Sequence, residues 1–82
     1  MSGELCPDGE LLAAVGAALY GPHWREPLAA ALDIRDRAFQ RWLPGKAEIP
    51  PGIWAELLAL CDKREVEIGA ARGRVEQHIR SL

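Results

Sequence analysis

Residues 25–45 read REPLAAALDIRDRAFQRWLPG. Two apolar patterns at helical spacing meet within them at a sharp corner. In the first pattern, Leu28, Ala29 and Leu32 share one helical face. In the second, Ala38, Phe39 and Trp42 recur at the same spacing after Ile34. The corner is Leu32-Asp33-Ile34. Two helices that cross at a wide angle need a small residue where they touch, and Ala29 supplies it. The turn needs a residue that tolerates positive φ; glycine serves best, Asn and Asp come next, and Asp33 stands at that place. An apolar residue must then plug the corner from beneath, which is the expected role of Ile34.

A short helix, a tight corner and a second helix with a polar outer face form the helix-turn-helix pattern, whose second helix lies in the DNA major groove. The segment resembles the helix-turn-helix of the lambda-repressor/Cro-like (XRE) family of bacterial and phage regulators. Ala29, Asp33, Ile34, Arg35, Phe39, Trp42 and Gly45 stand where that family carries its small Ala, turn Gly, apolar plug, Ser, apolar residue, Trp or Leu, and closing Gly. The match covers about half of the chain closely. Two positions depart from it. Asp33 replaces the usual Gly, at a cost of about 1 kcal/mol in a left-handed turn. Arg35 replaces the usual Ser, so the second helix loses a good N-cap. The resemblance implies a sequence-specific DNA-binding transcriptional regulator of repressor type. It also implies that Arg25, at the start of the second helix, and Gly45 and Lys46, just after the third, touch phosphates.

Composition agrees with an all-α fold. The 82 residues suit one small domain. Ala and Leu dominate, β-branched residues are scarce, and no run alternates with period two. The expected architecture is a four-helix helix-turn-helix domain with a long C-terminal helix. Residues 8–46 hold the first three helices and residues 51–82 the last.

The net charge of −2 hides an asymmetry. Residues 1–22 carry −3, residues 23–46 carry +2, and residues 47–82 carry −1. The only net-positive segment is thus the corner itself, which steers DNA to that face with modest, salt-sensitive affinity.

In chain order, Met1 to Pro7 read as a loose arm. A first helix is expected over residues 8–19, capped by Asp8, with Leu11, Leu12, Val15, Ala18 and Leu19 buried and Gly16 permitting close approach. Tyr20-Gly21-Pro22 ends it. Trp24 reads as a core residue, with stacking near a DNA backbone as the alternative, and His23 as a solvated one. Pro27 falls in the first turn of the second helix, where its missing N–H is harmless.

The third helix is expected over residues 35–43, exposing Arg35, Asp36, Arg37, Gln40 and Arg41. The plain reading of this cluster is a solvated face. The chemical reading is DNA recognition: Arg forks onto guanine, Gln reads adenine or a phosphate, and Asp accepts from cytosine. Asp36 also suits a helix N-terminus, where it would orient Arg35 or Arg37. The surrounding motif favours the chemical reading.

Residues 47–52 form a proline-stiffened loop whose Ile49 plugs the base of the domain. The last helix is expected to start near Pro51 or Ile53 and to continue to Ser81. Ile53, Trp54, Leu57, Leu58, Leu60 and Cys61 are dense enough to close a core. Beyond Lys63 the apolar residues thin to a stripe of Ile68, Ala71, Val75, Ile79 and Leu82. Trp54, Cys61, Ile68, Val75 and Leu82 stand seven apart, one leg of a heptad. The stripe reads as a homodimer interface, with folding back onto the first helix as the alternative. Gly69 and Gly73 weaken this helix and offer places for it to bend.

The favoured partner is therefore an operator, double-stranded DNA with two-fold symmetry, in the cytoplasm. No cofactor, metal or small-molecule ligand is expected. Residues 11–19 are too short and too poorly flanked for a signal peptide or a membrane span. The competing reading is a protein-interaction module built on a helix-turn-helix scaffold. Catalysis finds no support. Cys6, Cys61, His23 and His78 have no linking pattern, and Glu65 and Glu67 do not face each other on a helix. The two cysteines read as reduced thiols.

Overall fold

The computed structural model describes residues 4–82 and holds four helices: α1 (Pro7–Tyr20), α2 (Arg25–Leu32), α3 (Asp36–Trp42) and α4 (Pro51–Arg80). No strand occurs among the described residues, so the fold is all-α as expected. Among the same residues no helix is long and apolar enough to cross a membrane.

Each boundary has a local cause. α1 begins one residue earlier than the charge pattern suggests. Its N-cap is Cys6, not Asp8: the Cys6 sulfur accepts the Gly9 N–H at 3.3 Å. Pro7 takes the first helical position, where no N–H is needed, and Asp8 falls in the first turn, where its charge suits the helix dipole. The segment before α1 is not loose over its described part. Leu5 packs against the core, and the Cys6 N–H donates to the Leu43 carbonyl at 2.9 Å. Met1, Ser2 and Gly3 of the expected arm lie outside the described residues. At the other end, Gly21 adopts φ +83° and donates its N–H to the Ala17 carbonyl at 2.8 Å.

The corner after α2 forms as its chemistry requires. Asp33 is left-handed, with φ 55° and ψ 47°. Its N–H donates to Ala30 at 3.2 Å, and the Ile34 N–H reaches back to Ala29 at 2.9 Å. This is the paired Schellman closure of a helix C-terminus. Ala29 is buried, and Ile34 is partly buried against the core beside it.

The core gathers one side of every helix. Leu12 and Leu19 come from α1, Leu28, Ala29 and Leu32 from α2, and Phe39 from α3. Leu43 and Ile49 join from the connecting loop, and Ile53 and Leu57 from α4. Three residues expected inside lie outside. Leu11 is 53% and Leu58 64% exposed, and Ala18 is also exposed. The reason is angular. At 100° per residue, Leu11 and Ala18 sit about 100° from the inward direction set by Leu12, Gly16 and Leu19, and Leu58 sits as far from Leu57.

Gly16 helps fix that inward direction. A Cβ there would lie 2.5 Å from Cε3 of the Trp24 ring. A Cβ on Gly9 would likewise collide with the Leu43 carbonyl. The two glycines let α1 lie directly on its neighbours.

α4 is a single helix of 30 residues that runs through both Gly69 and Gly73. Arg64 stacks over the Tyr20 ring with its guanidinium 5.4 Å from the centroid. Beyond Arg64 every residue is exposed, so α4 does not fold back onto α1. The molecule is accordingly elongated, measuring 54 × 26 × 20 Å.

Two glycines therefore respond oppositely to alanine. Gly73 has open space around its missing Cβ, so Gly73→Ala is expected to stabilise by about 1 kcal/mol through helix propensity. Gly16→Ala is expected to destabilise by about 1–3 kcal/mol through overpacking against Trp24. Urea midpoints compare the two, and a rise in both would show that Trp24 does not press on α1 in solution.

Candidate nucleic-acid interface

α3 is only seven residues long, so its neighbours must hold it. Phe39 does most of this. It is fully buried, with its ring centroid 5.4 Å from Trp24 at 65° and 6.1 Å from Trp42 at 73°, both edge-to-face. Trp24 is thus a core partner, as its first reading held. With Phe39 pointing inward and Trp42 partly buried, helical geometry turns Arg37, Gln40 and Arg41 outward together, and all three are exposed. Arg35 is exposed at the N-cap and caps nothing with its side chain. It stands at the entrance to α3 rather than on its outward face.

Asp36 is exposed too, but it is engaged. Arg25 Nε donates to Asp36 Oδ1 at 3.0 Å, and Arg25 Nη2 to Oδ2 at 3.1 Å. This bidentate pair joins the first residue of α2 to the first of α3. The Arg25 guanidinium also lies 5.9 Å from the centroid of the Phe39 ring. Both carboxylate oxygens of Asp36 are occupied from within the chain, so in this arrangement Asp36 orients Arg25, not Arg35 or Arg37. Arg25 keeps Nη1 and one hydrogen of Nη2 for an outside acceptor. The sequence offered no signal for this pair, whose members stand eleven positions apart with a turn between them.

Beyond α3, the chain turns at Gly45, with φ +85°. Its N–H donates to the Trp42 carbonyl at 3.1 Å, and a Cβ would sit 3.2 Å from that of Cys6. The glycine is accounted for by the fold, and its N–H is engaged there. Lys46 follows, exposed. The ion pairs among the described residues are Arg25–Asp36 and Arg72–Glu76. Arg35, Arg37, Arg41 and Lys46 therefore carry four positive charges with no acidic partner among the described residues, on α3 and its two flanking loops.

The expected dimer residues lie elsewhere. Ile68, Val75 and Ile79 are 58–61% exposed along the projecting part of α4, with Ala71 among them and Leu82 beyond the helix end. A second apolar surface escaped the sequence reading. It is a groove of about 180 Å³ between α1 and α4, lined by Leu11, Val15, Trp54, Leu57, Leu58 and Cys61. Its signal was present in the excess of apolar residues on α1, which the sequence reading assigned to the core.

No protein-family model, curated protein or solved structure matches the chain. The resemblance to lambda-repressor/Cro-like regulators rests on the motif residues alone.

The relative weight of the contacts holding α3 is testable. Phe39→Ala is expected to cost about 3–5 kcal/mol of stability. The Arg25–Asp36 pair is 41% and 51% exposed, so a double-mutant cycle with alanine at both sites is expected to give a coupling below about 1 kcal/mol. A larger coupling in chemical denaturation would make the ion pair, and not the aromatic cluster, the anchor of α3.

Proposed function

We propose that the protein is a sequence-specific DNA-binding transcriptional regulator, a helix-turn-helix repressor of lambda-repressor/Cro-like type. On this reading α2 and α3 are the helix-turn-helix, and α3 enters the major groove. The observation that carries it is the division of α3 into two faces. One is locked inward by Phe39. The other presents Arg37, Gln40 and Arg41, with the unpaired charges of Arg35 and Lys46 on either side.

The roles follow from chemistry. Arg37 and Arg41 fork onto guanine edges, and Gln40 reads adenine. Arg35 reaches a base or phosphate at the entrance to α3. Arg25, held at a fixed angle by Asp36, and the flexible Lys46 clamp phosphates and set the register without reading sequence. Gly45 brings the backbone close to the same strand. The protein works in the cytoplasm as a homodimer through Ile68, Ala71, Val75, Ile79 and Leu82. Two copies of α3 then read half-sites one helical turn, about 34 Å, apart.

One observation favours a second reading, a protein-interaction module that has kept only the scaffold. Ile68, Val75 and Ile79 stay 58–61% exposed along one helix, apolar surface that DNA contact through α3 does not use. Salt separates the two, since binding through several phosphate contacts falls steeply with ionic strength and an apolar interface does not.

Selection from random duplex DNA at two salt concentrations is the test. The protein is expected to enrich a two-fold symmetric sequence. Arg37→Ala and Arg41→Ala should each lose about 1–3 kcal/mol on it and relax base preference at one position. Lys46→Ala should weaken all sequences alike and lower the salt slope by about one unit. No enrichment, with equal residual binding by both arginine variants, would overturn the proposal.

A further inference from the structure

We infer that the exposed face of α4 is covered by α4 of a second copy running antiparallel, with the tail of each copy seated in the α1/α4 groove of the other. This rests on the dimer of the proposed function and adds its direction and its docking site.

Three observations converge on it. The first is continuity of one helical face. Ile53 and Leu57, which α4 buries in its own core, lie in the same angular sector as Ile68, Ala71, Val75 and Leu82 further along. The face therefore passes from covered to uncovered at Arg64 without changing chemistry.

The second is the order of charge along that helix. Residues 54–67 hold four acidic and two basic side chains, and residues 69–82 hold three basic and one acidic. An antiparallel pair with its two-fold axis near Ile68 sets a segment of −2 against a segment of +2, twice over. At the seam it brings Glu65 beside Arg72 of the second copy. A parallel pair would instead set the two acidic segments level with each other and the two basic segments level with each other. Arg72 meets Glu76 of its own helix at 3.0 Å, but that pair is exposed and exchanges at little cost.

The third is the groove. The same register carries residues 75–82 of one copy alongside residues 54–61 of the other, where Leu11, Val15, Trp54 and Leu58 line an open apolar channel. Val75, Ile79 and Leu82 then meet the apolar side chains that the separate domain leaves at its surface. Val75 falls level with Cys61, Ile79 with Leu57 beside the exposed Leu58, and Leu82 with Trp54. Leu57, the centre of the buried part of α4, is eleven residues from Ile68. The two heads thus stand about 33 Å apart along the helix, at 1.5 Å per residue.

Cys61 is the probe. In a Cys6→Ser background, where serine keeps an N-cap for α1, Val75→Cys places a thiol opposite Cys61 of the second copy. Mild oxidation is expected to give a covalent dimer linked 61 to 75, read by peptide mass spectrometry, and none with Cys61 alone. A 61-to-61 link would establish parallel pairing and overturn the inference. A monomeric mass at high micromolar concentration, or a dimer that forms no 61-to-75 link, would also overturn it. Charge reversal gives an independent readout. Arg72→Glu is expected to weaken the dimer by about tenfold, and Glu65→Arg/Arg72→Glu to restore it; failure of the double variant to restore it overturns the antiparallel register. Neither experiment uses DNA. A monomer that still enriches a duplex sequence sinks only this inference, and an antiparallel dimer indifferent to DNA sinks only the DNA reading.

Discussion

A helix of seven residues has no stability of its own in water, because nucleation fixes several residues before the first hydrogen bonds repay it. α3 exists because Phe39 is buried between Trp24 and Trp42. Burying a phenylalanine is worth roughly 1.5–3 kcal/mol, well above what a half-exposed ion pair such as Arg25–Asp36 contributes. The aromatic cluster, not the salt bridge, therefore sets the rotation of α3 about its axis. That rotation decides which side chains face solvent. One residue's turn, 100°, would bring Gln40 toward the core in place of Phe39 and scatter the outward face.

The exit from α3 is fixed by a different part of the chain. Cys6 donates its N–H to Leu43 and its thiol to the Trp42 carbonyl at 3.5 Å, while Gly45 packs on its side chain. The same sulfur caps α1 through Gly9. One small, weakly polar residue thus ties the start of the first helix to the end of the third. A larger side chain at either glycine, or a charged one at Cys6, would separate them. Lys46 leaves the domain from this clamped turn, so its reach is set by a long, flexible side chain on a held backbone.

What was legible in the sequence was whatever a few adjacent residues decide. The corner was readable because Asp33 and Ile34 must satisfy local backbone geometry whatever surrounds them. The bounds of α2 and α3 and the long reach of α4 were readable from spacing and from prolines and glycines. The buried face of α1 was only half readable. Its apolar residues cover too wide an arc, and the inward sector is chosen by Trp24 docking on Gly16, which no local pattern encodes. The Cys6 cap was missed because a thiol is a poor acceptor and Asp8 a good one, yet Pro7 starts the helix before Asp8 can cap it. Of the candidate site, the outward set on α3 was legible from periodicity. The Arg25–Asp36 pair was not, since it is made by the corner after the corner has formed.

The two ends of the molecule place opposite demands on association. The four cations on and beside α3 that have no acidic partner among the described residues, on a chain whose net charge is −2, make a weak electrostatic footprint for one copy alone. The tail beyond Arg64 is likewise marginal alone, because it contains two glycines and keeps its apolar side chains in water. On the proposed dimer and the proposed DNA reading, pairing addresses both. It covers the apolar stripe, which stabilises the tail as a helix. It also links two reading faces, so that the second engages at an effective concentration set by a rigid helix and not by diffusion. On the DNA-reading proposal, tail folding, dimerisation and operator binding are then linked equilibria, and each shifts with protein concentration. Under that coupling the protein's own abundance would act as the signal, read through a helix that the proposed pairing stabilises.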